Sequence, residues 1–538
     1  MRKQTKLVAV LSAAALLAMG ASMTSFAAGW EKDDAGIWHY YDSDDEMVTG
    51  EWKKDGGKWF YLDDDGEMLT DSWVDDEYYV GEDGAMLVNQ WKKTISDDDM
   101  DDPDEDGENW YYFGSKGKKV TDDSKKINGK TYYFDEEGKM EYGWYGKGDN
   151  VYYLGGEDEG ARATGWLWLE APDSEDEDDQ DATTILGHES DDTDVCDDEG
   201  WYYFGSDGKM YTSAKQKKIN GKYYYFNNHG QMLYEWINGV KAPMGSNAQL
   251  DTDDGTKASA SDVRYMNVVE EGWRADGWYQ IDGADVLGAG DDTDWYYFKD
   301  GKAKKAEYTD VTGLWDGDDQ VIRAKIKING KYFCFNENGQ MQTGLQAIGN
   351  YADKKTNLYY FDENGYMKTG KVSNVEEEND SFTYYFETKN GKNGQGVMGE
   401  KSGYLYWNGK RLEADDDYKI YKVEGNYYVV NNKGKLQKST SKEYEIENKD
   451  GTEYKFQIGK KTYQIEKITS IDGKATTAAQ EKDFASLEAS LPYIELYDSV
   501  IYTDGSKNDI RVKSAKTFSE ETDAVDKKAV ATTSEDEE

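Results

Sequence analysis

Catalytic chemistry finds few of its usual side chains in this sequence. There are three histidines, His39, His188 and His229, and two cysteines, Cys196 and Cys334. None lies beyond residue 438, which excludes Ser–His or Cys–His nucleophilic catalysis and histidine-ligated zinc from the C-terminal segment. His188 and Cys196 are close in sequence, but no further ligand stands at a metal-site spacing. The 110 Asp and Glu residues guarantee carboxylate pairs by chance. A glycosidase needs two of them across a cleft at a defined separation, and no motif marks such a pair. The expectation is a non-enzyme with no metal site and no cofactor.

What the chain holds in quantity is aromatic surface: 44 Tyr, 17 Trp and 15 Phe within a hydrophobic fraction of 37%. Each such ring buries a large area, so short elements suffice to build a core. These rings recur in a fixed pattern of aromatic triplet, polar turn with glycine, then methionine. Trp59-Phe60-Tyr61-Leu62 leads to Gly66-Glu67-Met68. Thr131-Tyr132-Tyr133-Phe134 leads to Gly138-Lys139-Met140, and Trp201-Tyr202-Tyr203-Phe204 to Gly208-Lys209-Met210. Tyr223 to Phe226 leads to Gly230-Gln231-Met232, and Tyr359-Tyr360-Phe361 to Gly365-Tyr366-Met367. A longer cycle is superimposed: Trp110, Trp201 and Trp295 each open a Trp-Tyr-Tyr-Phe and are each followed by Ile-Asn-Gly-Lys.

The elements that must position these rings are β-hairpins. Tyr and Phe suit a pleated strand, and a polar loop with one glycine supplies a left-handed turn residue. Asn128-Gly129, Asn220-Gly221 and Asn329-Gly330 are two-residue hairpin-turn signals. A lone short hairpin is marginal in water, so consecutive hairpins must stack and bury their rings against one another. The predicted fold is therefore all-β, a β-hairpin solenoid of tandem aromatic repeats with acidic loop inserts. A small β-rich C-terminal segment follows over 438–512, where Tyr444–Glu447 and Tyr454–Ile458 alternate as a hairpin around Asp450-Gly451 and 460–465 adds a strand.

The net charge is −47, which repels nucleic-acid phosphates. It favours cationic partners or metal ions, or serves only to keep the surface solvated. Acid concentrates in inserts at Asp97–Asp106 and Asp173–Asp181, and 247–262 is polar and small. These read as surface loops. Carboxylates suit calcium, yet none of the inserts has the spacing of an EF-hand loop. At the N-terminus, Arg2, Lys3 and Lys6 precede the apolar run Leu7–Met19 and small residues at Ser25-Phe26-Ala27-Ala28. Residues 1–27 thus read as a secretory signal peptide, too short for a membrane span. The repeats fill 28–437, and 513–538 is an acidic tail expected to be disordered. Leu491-Pro492-Tyr493-Ile494-Glu495 begins like a sortase signal but lacks Thr-Gly, and no hydrophobic tail follows, so covalent wall anchoring is not expected. Two cysteines do not make a disulfide framework.

At these residues the chain resembles the choline-binding and glucan-binding cell-wall repeat family. That family's unit is a Gly-Trp strand, a Trp-Tyr-Tyr strand and a Gly-x-Met return. Here it stands as Trp52 with Trp59-Phe60-Tyr61 and Met68, and as Trp30 with Trp38-His39-Tyr40 and Met47. Gly143-Trp144 and Gly165-Trp166 supply further Gly-Trp elements. The Ile-Asn-Gly-Lys-x-Tyr-Tyr-Phe form is similar to the glucan-binding branch and to repeats of large clostridial toxins. The resemblance covers most of 29–436. It implies secretion, a place at a Gram-positive cell wall, and non-covalent attachment to a wall polymer, either choline-bearing teichoic acid or polysaccharide.

In choline-binding members, aromatics of consecutive hairpins cage the quaternary ammonium. By that resemblance the cage candidates here are Trp30, Trp38, Met47, Trp52, Trp59, Met68 and Trp73, with Trp52, Trp59 and Trp73 the best-formed group. The chemistry is sound from below: trimethylammonium donates no hydrogen bonds, aromatic faces attract its diffuse charge, and a thioether is polarizable enough to line the floor. The alternative for any of these rings is that it only packs one hairpin on the next. The chain also departs from the pattern. The triplet opens with Trp at 38, 59, 110, 201 and 295, but with Glu77, Thr131, Val151, Leu358 and Thr383 elsewhere, and Gly344 is followed by Leu345. Ligand sites are expected to be few and N-terminal. A non-catalytic choline-polymer binder, a glucan binder and an acidic calcium-binding adhesive protein are the readings that remain.

Overall fold

The computed structural model describes residues 29–97, 107–147, 150–172, 199–212, 216–242, 248–250, 258–290, 292–306, 323–350, 355–377, 380–389, 393–414, 417–447, 451–485, 494–497, 500–502 and 511–513. The signal-like segment, nearly all of the two acidic inserts, His188, Cys196 and the acidic tail lie outside the described residues.

Packing divides the chain into two units, one running to Tyr234 with 240–249 and 268–273, the other made of 235–239, 250–267 and the chain from Arg274 on. The first unit is a succession of antiparallel hairpins. They are β1 (Gly29–Lys32) with β2 (Trp38–Tyr41), β3 (Glu51–Asp55) with β4 (Lys58–Leu62), and β5 (Ser72–Val74) with β6 (Tyr78–Val80). Then come β7 (Gln90–Thr94) with β8 (Asn109–Phe113), β9 (Asp123–Ile127) with β10 (Lys130–Phe134), and β11 (Trp144–Lys147) with β12 (Asn150–Tyr153). β13 (Gly165–Glu170) with β14 (Glu199–Phe204) and β15 (Lys217–Ile219) with β16 (Lys222–Tyr224) complete it. Each of these sheets has two strands, so this unit is all-β and its strand pairing is local, hairpin by hairpin.

The turns explain the sequence. Asn128 and Gly129 have φ of 49° and 88°, the paired positive values that a two-residue hairpin turn requires; Asn220-Gly221 and Asn329-Gly330 repeat them. After several triplets an Asp or Asn caps the return. The Asp63 carboxylate accepts the N–H of Asp65 at 3.0 Å and of Glu67 at 2.8 Å. Asn227, Asp362 and Asn431 do the same. After Gly81 and Gly205, which follow their triplets, the aspartate two residues later takes over: Asp83 accepts from Ala85 and Asp207 from Lys209.

Hairpins are joined by one recurring bond. The N–H of the residue at the methionine position donates to the carbonyl of the residue that opens the previous triplet. Met68 donates to Trp38, Met86 to Trp59, Met140 to Trp110 and Met232 to Trp201, each at 2.8 Å. The methionine side chain then lies across the glycine of the next turn. A Cβ on Gly84, whose φ is +72°, would meet the Met68 methyl at 2.6 Å. Glycine is needed there for both its torsion and its missing side chain.

In the second unit the pattern continues with β17 (Trp236–Asn238) and β18 (Val263–Tyr265), β19 (Gly277–Asp282) and β20 (Thr293–Lys299), then β21 (Lys302–Ala303), β22 (Ala324–Ile328), β23 (Lys331–Phe335), β24 (Met341–Gln342), β25 (Gly344–Asn350) and β26 (Lys355–Phe361). β27 (Gly370–Glu377), β28 (Asp380–Phe386), β29 (Gly399–Lys401), β30 (Tyr404–Trp407) and β31 (Lys410–Arg411) form a five-stranded sheet. β32 (Tyr418–Val423) and β33 (Asn426–Asn431) precede a four-stranded antiparallel sheet of β34 (Ser439–Glu447), β35 (Glu453–Ile458), β36 (Ile465–Ile471) and β37 (Lys474–Ala475). Ile420 and Val429 share a core with Tyr444, Ile446, Phe456, Ile458, Ile465 and Ile468. The expected strand at 460–465 is a turn instead: Tyr463 has φ of 57° and donates to the Gly459 carbonyl. The strand starts at Ile465, where Ile465 and Ile468 reach the core. No helix among the described residues is long and apolar enough to cross a membrane.

Candidate functional site

Antiparallel register sets the first contact. The tryptophan near the start of each hairpin's first strand pairs with a tyrosine across its own hairpin: Trp30 with Tyr40, Trp52 with Tyr61, Trp73 with Tyr79, Trp91 with Tyr112, Trp144 with Tyr153 and Trp166 with Tyr203. Stacking sets the second, because each of these indoles also meets the second triplet residue of the next hairpin. Trp30 lies 5.2 Å from Phe60, Trp52 5.4 Å from Tyr78, and Trp91 and Trp166 4.9 Å from Tyr132 and Tyr224.

A third wall comes from the tryptophan that opens the triplet, two strand positions away on the same face. Trp91 and Trp110 stand 6.3 Å apart with planes at 87°, and Trp166 and Trp201 6.5 Å apart at 86°. Two perpendicular indoles and a phenol therefore form a corner, and the recurring backbone bond brings Met140 or Met232 beside it. Tyr132 and Tyr224 are buried, while all four indoles are half-buried. Burial pushes the Tyr132 and Tyr224 phenols above their usual range, keeping the back wall neutral. The Trp91 and Trp166 indoles also stack on Phe134 and Phe226, each at 5.7 Å, and aromatic surfaces of this kind suit a cation of low hydration.

Carboxylates stand at the edge. Asp158 accepts the Trp110 indole N–H at 3.0 Å and pairs with Lys93 at 2.9 Å. Those bonds, the indole's first, hold its carboxyl below the usual range. At the other corner Trp168, 43% exposed, extends the aromatic face of Trp201 and donates to Glu199.

The residues singled out in the sequence fall into different places. Trp30 and Trp38 come together with Phe60 and Met68. Trp52 and Trp59 share a face, with Tyr78 and Met86 completing their interface; Trp59 is 39% exposed. Trp73 does not join them. It is buried against Tyr79, Tyr111 and Phe113, and its N–H donates to the Ile95 carbonyl at 2.8 Å. Met47 packs on Gly66. The corners at Trp91–Trp110–Tyr132 and Trp166–Trp201–Tyr224 escaped sequence reasoning because an acidic insert separates each first-strand tryptophan from its triplet. The signal was there in Trp110 and Trp201. In the second unit Trp278 meets Tyr297 and Phe333, with Met341 packed alongside. Where Val151 replaces the opening tryptophan, Trp144, Tyr202 and Met210 close into solid core.

Among the described residues no group of three or more His, Cys, Asp or Glu is placed to hold a metal ion. His39 bonds the Gly66 carbonyl and faces Asp33, a structural role. Cys334 is a free, buried thiol.

Models of the choline-binding repeat match residues 46–86 and 120–166. A cell wall binding repeat model matches 28–44, 105–119, 195–210, 217–232 and 353–367. No curated protein sequence matches the chain. Among solved structures, the modular autolysin LytC of Streptococcus pneumoniae is similar at 19% identity over 66% of this chain, with a TM-score of 0.30. This chain spans 57% of that protein's length. The choline-binding domain of CbpL from the same organism is 24% identical over 38% of this chain and 97% of its own, with a TM-score of 0.24. Choline binding protein F, also from S. pneumoniae, is 20% identical over 72% of this chain and 100% of its own, with a TM-score of 0.21. Across the matched segments the chain consists of repeats of the choline-binding, cell-wall-binding family.

Proposed function

We propose that this is a secreted, non-catalytic surface protein that holds non-covalently to choline-bearing cell-wall polymers. The observation that carries the reading is the repeated corner of two perpendicular indoles and one phenol, at Trp91–Trp110–Tyr132 and Trp166–Trp201–Tyr224. A trimethylammonium group has no donor to satisfy and a weak hydration shell to lose, so aromatic faces are its natural partners. The net charge of −47 adds long-range attraction for the cation. The test is retention on a choline resin. Elution by free choline but not by equal NaCl is expected; elution by salt alone would reduce the interaction to ion exchange and sink the proposal.

A polysaccharide reading is favoured by one feature, the exposed Trp168 indole beside Trp201 with the Glu199 carboxylate at its edge. Sugars stack their apolar faces on such rings beside a polar group. Binding on a glycan array with no response to choline would put this reading first.

A further inference from the structure

In the complete interfaces the wall and floor are Trp, Trp, an aromatic ring and Met. The interface between the β5–β6 and β7–β8 hairpins keeps Trp73 and Tyr111, 4.9 Å apart. Glu77 stands where the opening tryptophan would be, and Lys119 stands at the methionine position, its N–H donating to the Glu77 carbonyl at 2.8 Å. The Lys119 ammonium lies 5.3 Å over the Trp73 ring centroid. The side chain is 9% exposed and pairs with Asp76 at 2.5 Å.

We propose that Lys119 takes, in its own interface, the place that a quaternary ammonium takes in the neighbouring ones. The Trp73–Tyr111 interface is then closed to ligand by the basic side chain that stands over its rings. This rests on the reading of the aromatic corners as quaternary-ammonium sites. The chemistry of the substitution is consistent. A primary ammonium, unlike trimethylammonium, carries three donors that need acceptors. The β5–β6 turn provides one, since Asp75 and Asp76 both have positive φ and Asp76 reaches the lysine. The β3–β4 turn has Gly56-Gly57 at that place and offers no side chain.

The same device recurs with other residues. Arg162, at the methionine position, donates its N–H to the Thr131 carbonyl and places its guanidinium 5.7 Å over Tyr152. Lys325, in the second unit, pairs across the strands with Cys334, the place of the tyrosine opposite a Gly-Trp indole. Its ammonium lies 4.3 Å over Tyr359 and 5.3 Å over Tyr332. Burial pushes the Lys325 ammonium below its usual range.

Calorimetric titration of the full chain with choline counts the sites. Glu77→Trp alone is expected to leave the stoichiometry of the wild type, because Lys119 still fills the interface. Glu77→Trp with Lys119→Met rebuilds the complete set and is expected to add one site. An added site in Glu77→Trp alone, or none in the double variant, overturns the proposal while leaving the other sites in place. A wild type that binds no choline overturns the underlying reading as well. If circular dichroism shows the double variant unfolded, Lys119→Ala titrated with tetramethylammonium decides: one added site supports the plug, and an unchanged count rejects it.

Discussion

The backbone N–H of Met140 donates to the carbonyl of Trp110 at 2.8 Å, so one bond ties the floor of an interface to its wall. The two residues belong to successive hairpins, and neither hairpin holds a site alone. On the proposed reading, a ligand between the rings would bridge two hairpins and stabilise the fold by mass action.

Trp110→Ala is expected to weaken quaternary-ammonium binding at its site by about 5- to 30-fold, the loss of one ring worth roughly 1–2 kcal/mol. Trp110→Phe keeps a ring with a weaker face and is expected to fall between. Both should retain the hairpin circular dichroism, because Trp110 is half-buried, its bond to Met140 uses the backbone carbonyl, and the ring gives up an exposed bond to Asp158. Wild-type calorimetric affinity in a folded Trp110→Ala would remove Trp110 from the site.

The Asp158 carboxyl, held below the usual carboxylate range by its bonds to the Trp110 indole and to Lys93, stays charged to lower pH than a free aspartate does. Its attraction for a cation is therefore present above that range and is lost as pH falls through its depressed value. Asp158→Asn should weaken choline binding at low ionic strength and leave it unchanged at about 1 M NaCl, where the Debye length is about 3 Å. An equal effect at both salt concentrations would assign Asp158 a contact role instead.

Gly84→Ala places a methyl group against Met68 at a φ of +72°. Strain and overlap together should cost roughly 1–3 kcal/mol. Gly129, at φ +88°, has nothing within 4 Å of its missing Cβ, so Gly129→Ala should lower the melting temperature less. Equal shifts in thermal unfolding would show that the methionine contact contributes nothing.

Burial pushes the Cys334 thiol up to about 12, and a thiol rather than a thiolate is inert to disulfide reagents. It should not react with Ellman's reagent at pH 8 in the folded protein and should react after denaturation. Rapid labelling of Cys334 in the native state, located by peptide mapping, would contradict the packing of β23.

Much of this protein follows from local chemistry and is legible in the sequence. Asn-Gly dictates its turn torsions, alternation in Thr131–Phe134 dictates a strand, and the Gly-x-Met return dictates where each hairpin ends, because each involves residues only a few positions apart. The interfaces are another matter. Trp73 reads as an equal of Trp52 and Trp59, yet stacking carries each first-strand indole forward onto the following hairpin, so Trp52 meets Tyr78 and Trp73 meets Tyr111. Trp91 finds Trp110, and Trp166 finds Trp201, across acidic inserts that hide the pairing along the chain. Composition shows a lysine at 119 but not that its ammonium sits over Trp73. Periodicity fixed the hairpins because backbone hydrogen bonding is local; the corners between them were decided by tertiary stacking, since each wall comes from a different strand.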